Sequence, residues 1–151
     1  MATAAEAHSA ISAAFETYIA ELAVAAPSWD QKPTAAAEGE DAWCARQVAE
    51  HIAGSGPFFG AGIAQAIGVD GPVPARVEFP DPSIAVEETR RTHGLLMDVV
   101  AQLNDAHLAI EIDHPRFGKH TVGGILDIVS GHIADHANQL KRSEASELFG
   151  G

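Results

Sequence analysis

Four stretches of the chain place apolar residues at helical spacing, and turn-rich segments separate them. From about Ala4 to Ala25, the residues Ile11, Phe15, Tyr18, Ile19 and Leu22 recur three or four apart, which puts them on one helical face. Pro27 and Pro33 open a loop lasting to about Glu40. The second stretch carries Trp43, Val48, Ile52, Phe58, Phe59, Ile63 and Ile67, with Asp41 placed to cap it. Gly54-Ser55-Gly56-Pro57 interrupts it. Proline has no N–H for the preceding turn, so a kink or a break is expected there. The prolines from Gly71 to Pro82 predict an ordered, non-helical crossing. Ser83 then caps a third helix, with Glu87 and Glu88 in its first turns, where the helix dipole favours negative charge. Its apolar face is Val86, Leu96, Met97, Val100 and Leu103. Asn104 to Lys119 reads as a loop, and the alternation from Leu108 to Ile112 suits a brief strand too isolated to build a sheet. The fourth helix runs from about Thr121 to Ser143 on Val122, Ile125, Leu126, Val129, Ile133 and Leu140.

Four amphipathic helices with one apolar stripe each predict an all-α fold, a four-helix bundle forming a single domain over residues 1–151. The connections are long for a minimal up-down bundle, so at least one is expected to cross over.

Composition narrows the function classes. The formal net charge is −12, from 9 basic and 21 acidic residues. That surplus disfavours nucleic acid and anionic membrane as partners, since both call for clustered Lys and Arg. The longest uncharged stretch, Ile52 to Val69, is rich in glycine and reads as core, not as a membrane span. Cys44 is the single cysteine, so no intrachain disulfide and no CxxC motif exist. Met1-Ala2-Thr3-Ala4-Ala5-Glu6 has neither a basic start nor an apolar signal core, and a cytoplasmic location is expected.

The chain holds 8 histidines, and their direction matters more than their number. With Val129 at zero on the fourth helix, Val122 and Leu140 fall at roughly 20°, Ile133 at roughly 40° and Leu126 at roughly 60°. His132 then lies near about −60° and His136 near about −20°, both in or beside the apolar stripe. They are one turn apart, a spacing that can bring two imidazoles to one cation. His51 shares its helix face with Cys44, Val48, Ser55 and Phe58. Neutral imidazole is the commonest metal ligand, and three protein ligands with an open position characterise a catalytic divalent ion. The competing reading is three hydrogen-bonded core histidines. Desolvating three imidazoles without metal or partners would be costly. His93, on the face of Val86, Thr89, Leu96 and Val100, and His8, beside Ile11, Phe15 and Ile19, are candidates for a fourth ligand or a pocket acid/base; for His8 a place at the bundle rim is the simpler reading. His107, His114 and His120 read as solvated loop residues.

The run from Phe117 to Leu126, followed by His132-Ile133-Ala134-Asp135-His136-Ala137-Asn138-Gln139-Leu140, resembles the DinB-like superfamily. That superfamily includes a YfiT-like group and the mycothiol-dependent maleylpyruvate isomerases. Trp43-Cys44-Ala45-Arg46-Gln47-Val48-Ala49-Glu50-His51-Ile52 looks like the family's signature on the second helix. The resemblance covers nearly the whole chain. It implies a divalent metal held by His51, His132 and His136, a homodimer, and thiol-dependent transfer or isomerisation of a small molecule. The Gly54–Pro57 interruption departs from the family's bundle helix. The acidic surface offers no obvious cradle for an anionic thiol, and Arg46, Arg90, Arg91 and Arg142 read as solvated.

Two function classes follow. One is a metal-dependent enzyme acting on a small-molecule substrate, a thiol S-transferase, isomerase or hydrolase, with His93 ranked above Glu50 and Asp135 as proton carrier. The other is a non-catalytic metal-binding or stress-associated bundle. Imidazole donors suit zinc, nickel, iron or copper, and a low-molecular-weight thiol is a candidate cofactor. A carboxylate-bridged di-iron site is disfavoured, because Val48, Val129 and Ile133 stand where Glu-x-x-His motifs would need glutamate.

Overall fold

The computed structural model describes residues 2–33 and 38–150, with side chains up to 142. Residues 34–37 of the expected first loop lie outside the described residues. Four α-helices carry the fold: α1 (Ala4–Ala25), α2 (Ala45–Ile67), α3 (Ala85–Val100) and α4 (Val122–Gly150). A two-stranded antiparallel hairpin, β1 (Glu111–His114) with β2 (Gly118–Thr121), precedes α4. This is the all-α bundle that the apolar stripes predict.

The stripes meet in one core. Ile11, Phe15, Tyr18 and Leu22 of α1 are buried with Ile125, Leu126, Val129 and Leu140 of α4. Burying side chains of this size contributes about 1.5–3 kcal/mol each before entropy is counted. α1 packs chiefly on α4 and α2 on α3, while α2 also meets α4 and α1 meets α3. The two connections α1–α2 and α3–α4 therefore join helices across the bundle diagonal. This is the crossing that the long linkers call for. By length and hydropathy alone, Ala4–Ser28 would suffice to cross a membrane, and its inward face is spent on the core.

Helix ends differ from the sequence reading in three places. Asp41 does not cap α2; it sits exposed in a 3-10 turn, Gly39–Ala42. Trp43 is extended, and Cys44 takes the N-cap position, its backbone N–H donating to Gln47 Oε1 at 3.0 Å. Cysteine is not an ordinary capping residue, which hid this start. Ser83 likewise lies inside a 3-10 turn, Pro82–Ile84, capped by Asp81 at 2.8 Å, and α3 begins at Ala85. α4 continues past Ser143 to Gly150.

α2 does not break at Pro57; it is continuous from Ala45 to Ile67. The steric conflict that normally ends a helix before proline involves the Cβ of the preceding residue. Gly56 has none. A Cβ there would also stand 3.2 Å from the Thr92 carbonyl, and one at Gly60 3.3 Å from Leu96 Cα, so the glycines let α2 and α3 approach closely. α2 ends on Gly68 with φ 75°, a left-handed cap that returns N–H groups to Ala64 and Gln65.

The proline-rich crossing is anchored by Phe79, which is 1% exposed. Trp29 Nε1 donates to its carbonyl at 2.7 Å, and its own N–H donates to Glu50 Oε2 at 2.6 Å. The alternation at Leu108 to Ile112 resolves differently from an isolated strand. Leu108 and Ala109 belong to a 3-10 turn, while Glu111 onward pairs with Gly118–Thr121, from Glu111 opposite Thr121 to His114 opposite Gly118. Gly118 has φ 77°, a conformation that suits glycine in a turn this tight. Thr121 Oγ1 accepts from Gly124 N at 3.0 Å and so caps α4.

Candidate metal centre

α2 and α4 face each other over one helical turn, and there the three inward imidazoles meet. His51, His132 and His136 each offer a ring nitrogen within 4.8 Å of the others. His51 Nε2 and His132 Nε2 are 2.8 Å apart. The rings of His132 and His136 stand edge to face at 4.7 Å, as the one-turn spacing dictates. Trp43, drawn in by the extended residues before α2, lies with its centroid 5.1 Å from His51 and 6.1 Å from His136.

The alternative reading, histidines tied into the core by ordinary hydrogen bonds, describes this cluster only in part: His51 faces His132 and His136 faces Gln139. Among the described residues, none of the three rings bonds a backbone carbonyl, and His132 Nδ1 is buried with no partner. His136 Nδ1 is 2.8 Å from Gln139 Oε1, so it carries the proton and leaves Nε2 for the cluster. Gln139 Nε2 donates in turn to the Glu40 carbonyl at 2.6 Å, tying α4 to the turn before α2. A side chain that fixes the tautomer of an imidazole in this way is the usual support of a metal-ligating histidine.

Electrostatics point the same way. Burial, reinforced by the neighbouring His136 and His51, pushes the His132 pKa down to about 3. Burial and His136 also lower that of His51, against the pull of Glu40. Both rings are therefore neutral at physiological pH and present lone pairs. Three imidazole nitrogen donors fit a borderline-soft divalent cation such as zinc, nickel or iron. Among the described residues, no further His, Cys, Asp or Glu joins the group, so an ion held by these three donors alone would keep a coordination position open.

The other candidates lie elsewhere. His93 stacks on Phe15 at 3.6 Å, and burial lowers its pKa to about 4. It reaches the triad's neighbourhood only through a narrow cavity that it lines with Phe59, Ser55 and His132, with room for about one water. His8 acts on His93 electrostatically and is not among the clustered ligands. Glu50 is engaged by Arg46 and the Phe79 N–H, and Asp135 is exposed. Arg46, Arg90 and Arg91 pair with Glu50, Glu16 and Glu88, and Arg142 is exposed.

His114 corrects the expectation of a solvated loop residue: it is 3% exposed. Phe58, Phe59 and Phe117 surround it, and its Nδ1 accepts from the N–H groups of Arg116 and Phe117. The hairpin folds it inward, which no helical periodicity could announce. His120 Nε2 lies 3.0 Å from the Phe117 carbonyl, and His107 closes a capping box with Asn104. The sequence names Trp43 and Gln139 within its motifs but gives neither a role at the site. The signal for Gln139 is its i+3 spacing from His136 on the same helix face.

A family model of the DinB superfamily matches residues 7–140. The chain belongs to the DinB superfamily. No curated protein and no solved structure matches it. In this DinB protein all three clustered histidines fall within the matched span, as does Gln139.

Gln139 provides a first test of the site. Replacing it with leucine removes the acceptor that orients His136 and is expected to weaken metal binding about 10- to 100-fold. Competition against a chromophoric chelator measures this. An unchanged affinity would show that His136 needs no such support.

Proposed function

We propose that this DinB protein is a divalent-metal-dependent enzyme acting on a small molecule, by thiol-dependent transfer or isomerisation or by hydrolysis. One observation carries the reading: three imidazoles converge with no fourth protein ligand of the usual kinds among the described residues. His51, His132 and His136 would hold the ion. When bound, it supplies Lewis acidity and lowers the pKa of a water or thiol in the open position. The chain's own contribution is to keep His51 and His132 neutral, to fix the His136 tautomer through Gln139, and to bury one wall of the site against Trp43 and Phe59. His93, neutral and across the narrow cavity from His132, is placed to exchange a proton with a group there through one water. A net charge of −12 favours a small-molecule substrate over a nucleic acid.

The narrowness of that cavity supports a second reading, a metal-binding bundle without catalysis. One experiment separates the two. Purified protein titrated with Co²⁺ is expected to take up about one equivalent, and added thiol is expected to produce a sulfur-to-cobalt charge-transfer band, because the fourth position is open. Uptake without any exchangeable ligand favours the non-catalytic bundle. Less than about a tenth of an equivalent bound would remove both readings.

A further inference from the structure

One cation outside the helical pattern is linked to the triad through an aromatic wall. Arg116 lies in the hairpin turn, and its guanidinium sits 5.6 Å from the centroid of the Phe117 ring. Phe117 stacks on Phe59 at 6.0 Å and 8°, and Phe59 meets the His132 ring edge to face at 6.0 Å. Opposite the guanidinium is Glu40, whose own carbonyl accepts from Gln139, the partner of His136. Two lines of contact therefore run outward from the triad, one along the aromatic wall of Phe59 and Phe117, the other through Gln139. They end on the two members of one ion pair.

That ion pair is loose. Arg116 and Glu40 approach to 3.7 Å, with side chains 55% and 48% exposed, which is beyond hydrogen-bond range. Among the described residues, the guanidinium donates no hydrogen bond to any other group. Contrast Arg90, whose fork closes on Glu16 at 2.8 and 3.1 Å. A half-exposed pair of this length is weak and readily exchanged. The guanidinium nonetheless lies within electrostatic reach of both His51 and His132. On a chain of net charge −12, an anion nearing the triad meets repulsion nearly everywhere else.

We propose that Arg116 is the anion-recognising residue of this site: it binds a carboxylate of a small acid whose other end reaches the metal held by the triad, and that carboxylate displaces Glu40. The inference rests on the metal reading above. A carboxylate is the ligand chemistry that matches, because the group already facing the guanidinium is one, and the planar fork can donate to two oxygens where Glu40 now offers a single long contact. Glu40 then acts as an internal stand-in, holding Arg116 over Phe117 until a better-placed carboxylate arrives.

Succinate is a suitable probe, with one carboxylate for the ion and one for Arg116, and the d–d absorption of the cobalt-loaded protein reports its binding. Arg116→Gln is expected to weaken succinate binding at least about tenfold while changing imidazole binding by less than about twofold. Glu40→Gln is expected to tighten succinate binding about two- to fivefold, because the internal competitor is lost while the carbonyl that anchors Gln139 stays. Both positions are half-exposed turn residues, and cobalt stoichiometry with a thermal melt checks that each variant is folded. Equal succinate affinity in wild type and Arg116→Gln, with cobalt in place, would overturn the role of Arg116 and leave the metal site standing. Failure of the wild type to take up cobalt overturns the metal reading and this inference together.

Discussion

His132→Leu is expected to lose stoichiometric metal binding, with affinity falling by at least about a hundredfold, while the metal-free variant melts within a few degrees of wild type. The two halves of this result have separate causes. His132 sits in the middle of the cluster, with Nε2 2.8 Å from His51 and its ring 4.7 Å from His136, so its loss removes a donor that no neighbour replaces. For the metal-free fold the same imidazole is a burden. It is desolvated, and its Nδ1 is buried without a partner. An apolar side chain of similar volume avoids that cost, which is about 1–3 kcal/mol for an unsatisfied polar group. Titration calorimetry with Zn²⁺ and a thermal melt in chelator read the two halves. His114→Leu is the control, since the Nδ1 of His114 serves the hairpin turn, not the cluster. Retention of one tightly bound equivalent in His132→Leu would assign the site to other ligands.

The metal-free protein is also expected to lose stability in mild acid, its melting temperature dropping on the order of 10 °C between about pH 7.5 and pH 4.5. The sign follows from the buried imidazoles. In the folded chain, burial holds His93 at about 4 and His132 at about 3. In the unfolded chain both titrate near the ordinary value of about 6.5. Above that value neither state binds the protons and stability is level. Below it the unfolded chain takes up protons that the folded chain refuses, so stability falls with pH until the folded values are reached. His93→Phe keeps a ring against Phe15, where the imidazole now stacks at 3.6 Å, and removes one of these protons. Its pH dependence should be visibly shallower, and bound metal, which holds the triad neutral, should flatten the curve further. A melting temperature that stays level or rises over this range would contradict the burial of these rings.

How far the sequence could be read depends on what kind of signal each element leaves. Helix faces repeat, so Ile11, Phe15 and Leu22 on α1, or Val122, Val129 and Leu140 on α4, announce their burial in the chain itself. The same periodicity turned His132 and His136 inward with them. Ends and interruptions leave weaker marks. Pro57 looked like a break, yet the glycine before it removes the clash that makes one, and α2 runs on. Asp41 looked like a cap, yet Cys44 and Gln47 form the start.

By itself, then, the sequence determined the all-α bundle, the approximate extents of its helices and the inward direction of His51, His132 and His136, because a helix repeats its geometry every few residues and local spacing is enough. The tertiary structure alone decided that these three rings converge within 4.8 Å, that Gln139 and the Glu40 carbonyl support them, and that the hairpin buries His114 and sets Arg116 against Phe117 and Glu40. Those relations join residues far apart in the chain through turns that carry no period, and only the packing of α2 on α4 brings them together.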